Sequence, residues 1–388
     1  MINIAVMGFG TVGSGVVELM ATNKEKIAAS AAAEISVKYI LDVRDFPDSP
    51  FGDLVIHDFS VIENDPEISI VVETIGGTGV ALDFTRRALL AGKNVVTSNK
   101  ELVAAHGHEL LAIARERNLN YLFEASVGGG IPILRPISQC LAANEIEEIY
   151  GILNGTTNYI LTRMYEGGAK FEDALKEAQA KGYAEANPAA DIEGRDTCRK
   201  ICILSDLAFG RQIDPDQVPT RGITEVDAQD VAILAPARAV IKLIGRAVRT
   251  GKGQVAICVE PFVVMPTNQL NSVRDVFNGI VVRGNATGDT MFYGRGAGKM
   301  PTASAVVADV IDAAKHFRAR KYVDWGDGGD DAVTPHELIR DRWYVRGGAE
   351  MKESTKLADG AYITDAKYDA AEIEALAGPG AVKYRVLD

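Results

Sequence analysis

Residues 2–23 read INIAVMGFGTVGSGVVELMATN. INIAVM is an apolar run, as expected of a strand covered on both faces. Gly8, Gly10 and Gly13 follow at G-x-G-x-x-G spacing, and VVELM then continues at helical periodicity. The first glycine permits a tight turn, and the second lets a pyrophosphate approach the backbone. The third lets helix and strand pack closely, and the helix N-terminus offers partial positive charge. Strand, loop and helix stand in the order a dinucleotide site requires. The candidate loop is Gly8, Phe9, Gly10, Thr11, Val12 and Gly13.

Moving outward, ISVKYILDV (35–43), ISIVVETI (68–75), NVVTSNK (94–100) and YLFEAS (121–126) read as strands, with helical stretches such as ALDFTRRALLAGK and ELLAIARERN between them. This alternation predicts a Rossmann-type, doubly wound parallel sheet over residues 1–130. The second strand ends in ILDVRD. An aspartate there would bind a ribose diol, and an arginine would favour a 2′-phosphate. Asp42 and Arg44 are both present. Arg44, at the loop itself, tilts the reading toward NADP and leaves NAD open.

VGGGIP (127–132) breaks the alternation. Beyond it, QVAICVEPFVVM, GIVVRGN and MFYGRG suggest a mixed sheet, with long helices expected over 171–210 and 227–247. We therefore expect a second, α+β domain over 131–301. The apolar helix TASAVVADVIDAAKHF is expected to pack back on the first domain as part of 302–320. DWGDGGDDAV (324–333) reads as a linker, and 331–388 as a short C-terminal appendage.

The chain has 388 residues, 47% hydrophobic and 24% charged, enough for two or three real cores. A net charge of −12 argues against nucleic acid or an anionic membrane as partner. No run approaches the ~18 apolar residues of a membrane span, and no signal peptide is evident. Cys198 and Cys202 would share a helix face as inert core residues; His106 and His108 fall in a predicted turn around Gly107. Four cysteines make no disulfide framework at this length, which suits a reduced, cytoplasmic setting.

GYAEANPAADIEGRDTCRK (182–200) gathers Glu185, Asp191, Glu193 and Asp196 ahead of Lys200. With GFGTVGSGV, ETIGG, GKNVVTSNKELVA, FEASVGGGIPI, GILNGTTNYILTRM and GRGAGKMPTASAV, it resembles homoserine dehydrogenase, motif by motif and in order, over roughly residues 1–320. The resemblance implies NAD(P)-dependent interconversion of L-homoserine and L-aspartate 4-semialdehyde, on the route to threonine, methionine and isoleucine. It also implies that the second domain binds substrate and dimerises, giving a homodimer or homotetramer.

Homoserine is a zwitterion whose hydroxyl must lose a proton as hydride leaves carbon. By resemblance, Lys200 handles that proton. Glu185 and Asp191 bind substrate, as do Gly155 and Thr156 of GILNGTTN. If 192–204 is a helix, Asp196 lies one turn from Lys200 and orients it. A partly desolvated ammonium exchanges its proton more readily than a solvated one. Lys100 is implied to contact nicotinamide and substrate, Thr97 and Asn99 to hydrogen-bond the cofactor, and Gly298 to let backbone approach it. The resemblance further implies a structural monovalent cation, often sodium, held mainly by carbonyl oxygens of Glu124, Val127, Gly129 and Ile131.

Residues 331–388 are short for the regulatory domain that many such proteins carry, so either a truncated copy or a family-specific cap is expected, and threonine feedback is not. No aspartate kinase segment precedes the glycine loop, which points to a monofunctional enzyme. The competing readings are a dehydrogenase of another amino-acid alcohol and a nucleotide sensor without catalysis. Lys100, Glu185, Asp196 and Lys200 speak against a sensor, which needs no proton-handling lysine.

Overall fold

The computed structural model describes residues 1–388 apart from 318, 321, 322, 330, 350 and 352. The chain forms two compact units. One comprises Met1–Ala143, Cys202–Asp214 and Arg295–Gly329; the other comprises Asn144–Ile201, Pro215–Gly294 and Asp330–Asp388.

The first unit is built on β1 (Ile2–Met7), β2 (Ile35–Leu41), β3 (Val55–Ile56), β4 (Ile68–Glu73), β5 (Asn94–Thr97) and β6 (Tyr121–Leu122). All pairings are parallel and the spatial order is β3-β2-β1-β4-β5-β6. The order reverses between β1 and β4, which opens a ligand crevice at the strand C-termini. Ile4, Val6, Ile70, Val72 and Val96 are fully buried and pack against helices Thr11–Thr22 and Lys299–Lys315. Gly15 permits the close approach of these helices, since a Cβ there would lie 3.0 Å from Lys299 Cγ and 3.1 Å from Ala303 Cβ.

Three sequence expectations need correction here. Segments 131–143 and 202–214 belong to this unit, not to the second. The stretch read as a linker carries Trp325, which is buried and packs edge-on against Phe123. The turn expected around Gly107 is instead the middle of helix Lys100–Glu116. A Cβ at Gly107 would sit 2.4 Å from Trp325 Cζ2, so this glycine makes room for the indole and does not end the helix.

The second unit holds a ten-stranded mixed sheet. Its strands are β7 (Ile146–Ile152), β8 (Val240–Gly251), β9 (Gln254–Val264), β10 (Phe277–Gly284), β11 (Gly288–Arg295), β12 (Val333–Thr334), β13 (Arg342–Arg346), β14 (Ser354–Ala358), β15 (Ala361–Thr364) and β16 (Val382–Leu387). The order is β11-β10-β7-β8-β9-β16-β13-β15-β14, with β12 also on β9. The long helix expected over 171–210 is three: Phe171–Ala180, Ala189–Ile192 and Arg195–Phe209. Gly182 and Gly194, both at positive φ, separate them. The helix expected over 227–247 covers only Ala228–Leu234. VIKLIGRAV is strand β8, in keeping with its β-branched side chains and its pairing with β7 and β9.

Residues 331–388 extend this sheet. β16 runs parallel to β9, and β13, β15 and β14 continue antiparallel. The order β16-β13-β15-β14 with helix Ala370–Ala377 is that of a ferredoxin-like β-α-β-β-α-β unit; no helix lies between β13 and β14 among the described residues.

Candidate active site

In the first unit the glycine loop has the shape a pyrophosphate needs. Gly8 has φ +91°, and a Cβ at Gly13 would collide with Gly8 O at 1.9 Å. Nothing lies within 4 Å of where a Cβ at Gly10 would be, so the backbone there faces open space. Gly10 caps helix Thr11–Thr22 without a side-chain bond, which leaves N–H donors for an anion. These features fit an NAD(P) pyrophosphate. Asp42 accepts from Phe9 N (2.8 Å) and Arg44 N (3.0 Å) and pairs with Arg44 Nε (3.0 Å). Burial opposes its ionisation, but the Arg44 side chain and the two N–H donors bring the carboxyl down to about 2. The guanidinium of Arg44 stays largely exposed, 5.0 Å from the Phe46 ring centroid.

Glu73 ends β4 fully buried, accepts from Ile75 N (2.7 Å) and receives the Thr97 hydroxyl. Thr97 Oγ1 in turn accepts from Asn99 N (2.9 Å). Asn99 caps helix Lys100–Glu116 by accepting from Leu102 N (3.1 Å) and donates to Gly77 O (2.7 Å). Thr97 and Asn99 are thus committed to shaping the loop, and Lys100 emerges from it at the first helical position, half-buried. Sequence reasoning passed over Glu73; its signal was an acid closing an apolar strand just before GG. Gly298, at φ +124°, caps helix Lys299–Lys315.

The carboxylate of Glu124 accepts from Ile133 N (2.6 Å), Leu134 N (2.9 Å) and Arg135 N (2.8 Å). It anchors a turn whose Gly128 and Gly129 have φ of +74° and +55°. With the carboxylate so engaged, a cation beside Glu124, Val127, Gly129 and Ile131 would be held by main-chain oxygens.

The second unit gathers the acidic stretch around Lys200. Its Nζ donates to Asp196 Oδ2 (2.7 Å) and Leu153 O (2.8 Å). Asp196 and Lys200 are 3% and 8% exposed, one turn apart on helix Arg195–Phe209. Asn154 Nδ2 donates to Asp191 Oδ1 (2.7 Å) and Asp196 Oδ2 (2.8 Å). Burial, then the charge of Asp196, raises Asp191 above the ordinary carboxylate range. Thr156 donates to Tyr183 O (2.6 Å) and ties the 182–188 loop to the helix start. Gly155 is obligatory, since a Cβ there would lie 2.7 Å from Val276 O. Glu185 is exposed on that loop, and its carboxylate has no hydrogen-bond partner among the described residues. The structure therefore joins Asp191, Asp196 and Lys200 through Asn154, a residue outside the acidic stretch. It leaves Glu185 outside the cluster.

Cys258, Glu260 and His336 also place potential ligand atoms within 4.8 Å of one another, a grouping the sequence spacing did not suggest. Glu260 is already paired through both oxygens, with Arg385 Nε (3.0 Å) and Arg221 Nη2 (3.3 Å). The grouping belongs to an ion-pair network.

The family model described as "Homoserine dehydrogenase, NAD binding domain" matches residues 8–124, and that described as "Homoserine dehydrogenase" matches 132–311. The homoserine dehydrogenase of Bacillus subtilis is 40% identical over 322 residues, covering 82% of this chain and 74% of that protein. The crystal structure of a homoserine dehydrogenase from Thiobacillus denitrificans superposes with a TM-score of 0.87 at 33% identity, covering 100% of this chain and 98% of that one. A hyperthermophilic archaeal homoserine dehydrogenase in complex with NADPH gives a TM-score of 0.68 at 29% identity, covering 80% and 97%. These relatives favour neither the other-alcohol nor the sensor reading.

Proposed function

The chain belongs to the homoserine dehydrogenase family of NAD(P)-dependent oxidoreductases that interconvert L-homoserine and L-aspartate 4-semialdehyde, and from that premise we propose that Lys200 moves the substrate's hydroxyl proton. The observation that carries this reading is a buried ammonium held by Asp196 Oδ2 at 2.7 Å and Leu153 O at 2.8 Å. In oxidation, neutral Lys200 Nζ takes the hydroxyl proton while the C–H hydrogen leaves as hydride and the C=O bond forms. In reduction, the ammonium returns that proton to the carbonyl oxygen. The nicotinamide, when bound, accepts or supplies the hydride.

Asp196 keeps Lys200 aimed, and Asp191 and Glu185 attract the substrate ammonium. Glu185 is exposed, and its carboxylate, without a hydrogen-bond partner among the described residues, serves that purpose. The Gly155 backbone and Thr156 meet the rest of the substrate. Lys100 contacts the nicotinamide side of the cofactor and the substrate, and Thr97 and Asn99 hydrogen-bond the cofactor. NADP is the preferred cofactor, through the exposed Arg44 guanidinium. The enzyme works in the cytoplasm as a homodimer or homotetramer, supplying threonine, methionine and isoleucine synthesis. A monovalent cation, sodium, steadies the Glu124, Val127, Gly129 and Ile131 turn through main-chain oxygens.

The test is spectrophotometric. Protein, homoserine and NADP or NAD at alkaline pH should generate the absorbance of reduced cofactor. Lys200→Ala should lower kcat by about a hundredfold or more while cofactor affinity by fluorescence titration is retained. Unchanged turnover would remove Lys200 from this role.

A further inference from the structure

Asn154 occupies the junction between β7 and helix Gly155–Gly167, with extended backbone at φ −131°, ψ 121°. Its side-chain oxygen accepts from Thr157 N at 2.8 Å. A backbone N–H can only donate, so this bond fixes which end of the amide is oxygen. Both hydrogens of Nδ2 are then aimed away from the helix, one at Asp191 Oδ1 (2.7 Å) and one at Asp196 Oδ2 (2.8 Å). The same Asp196 oxygen receives Lys200 Nζ. The residue before Asn154, Leu153, supplies the carbonyl that takes the second Lys200 bond. Asn154 is 5% exposed, so water offers little substitute for these bonds.

We propose that Asn154 is a positioning residue for the reaction: its amide bridges Asp191 and Asp196 and thereby holds Asp196 on Lys200. The inference rests on the role assigned to Lys200. Two carboxylates close together in a buried site repel, and one would take up a proton or swing away. A neutral donor with two hydrogens can serve both acids without adding charge. Asparagine also caps the helix with the opposite end of the same group, so the fixed helix start sets the direction of the bridge. A lysine would add charge, serine is too short to reach both acids, and aspartate has no hydrogens to give. With Lys200 protonated, the two ionised acids and the ammonium sum to one negative charge, suited to receiving a substrate ammonium.

The cap and the bridge can be separated. Asn154→Ser keeps an oxygen for Thr157 N–H and loses the bridge; Asn154→Asp also keeps the cap and replaces the bridging donors with a third carboxylate. For Asn154→Ser we expect kcat for homoserine oxidation to fall about tenfold or more and KM for homoserine to rise. KM for NADP should stay close to wild type. Asn154→Asp should lose more activity, and the pH above which oxidation becomes fast should move upward, because added negative charge favours the Lys200 ammonium. A purely structural role would lower the melting temperature or the active fraction and leave KM for homoserine and the pH profile of the surviving enzyme unmoved. That result in either folded variant overturns the proposal. Lys200→Met is the control. If it retains turnover, the reading of Lys200 fails. If it is inactive while Asn154→Ser matches wild type in kcat and KM, only the inference about Asn154 fails.

Discussion

Arg44 shows how one side chain can bear on cofactor choice. Asp42 would be the natural acceptor for a ribose diol, but its oxygens are occupied by the N–H groups of Phe9 and Arg44 and by the Arg44 guanidinium. That guanidinium keeps an exposed face for a 2′-phosphate. Arg44→Ala should raise KM for NADP about tenfold while KM for NAD changes little, as paired kinetics with the two cofactors will show. Equal effects on both would detach Arg44 from the phosphate. Lys200, Asp196 and Asp191 were legible in sequence because they lie within ten residues in a long, chemically particular motif. Asn154 was not: one asparagine before a glycine reads as a turn, and only the fold shows its amide to be 2.7–2.8 Å from acids some forty positions away.

At the scale of elements, β8 carries a buried lysine that its sequence pattern does not advertise. Lys242 Nζ donates to Asn158 Oδ1 and Val273 O, both at 2.7 Å, and so joins strand β8, helix Gly155–Gly167 and the segment before β10. Burial, reinforced by Arg274, lowers its pKa from 10.5 to about 7. Between those values the unfolded chain binds a proton that the folded chain does not. Stability therefore rises with pH across that window, is complete above 10.5, and is lost as pH falls toward 7. Lys242→Met should abolish this dependence. From pH 7.5 to 9.5 the wild type should gain about 2–3 kcal/mol relative to the variant in urea titrations; a pH-independent difference would refute the assignment. Lys242 also shows why 227–247 read as helix: periodicity was judged without knowing that β7 and β9 flank the segment and pair with both its edges.

At the scale of the second unit, residues 331–388 are stitched to the sheet by buried ion pairs. Asp341 receives Arg246 Nη1 (2.9 Å) and Arg385 Nη1 (2.7 Å), and Arg385 also meets Glu260 (3.0 Å). Arg346 and the Tyr344 hydroxyl bind the fully buried Asp230. Asp341→Ala leaves two largely buried guanidinium groups short of a partner. It should cost about 3–5 kcal/mol in chemical denaturation, compared with about 1 kcal/mol or less for removing an exposed pair such as Lys356–Asp359. A small loss would mean that the segment sits more loosely on β9 than its hydrogen bonding implies.

The sequence by itself determined the parallel sheet, the glycine loop, the family and most of the acidic cluster, because each is written in local periodicity or in a contiguous motif. Tertiary structure decided the rest: why Gly107 stays inside a helix, where 131–143 and 202–214 belong, and that the C-terminal segment completes a sheet. It also decided which side chain bridges the two aspartates. Those outcomes depend on which buried polar groups and bulky rings meet across long sequence separations, and hydrogen bonding and steric exclusion act on distance in space, which the order of residues does not record.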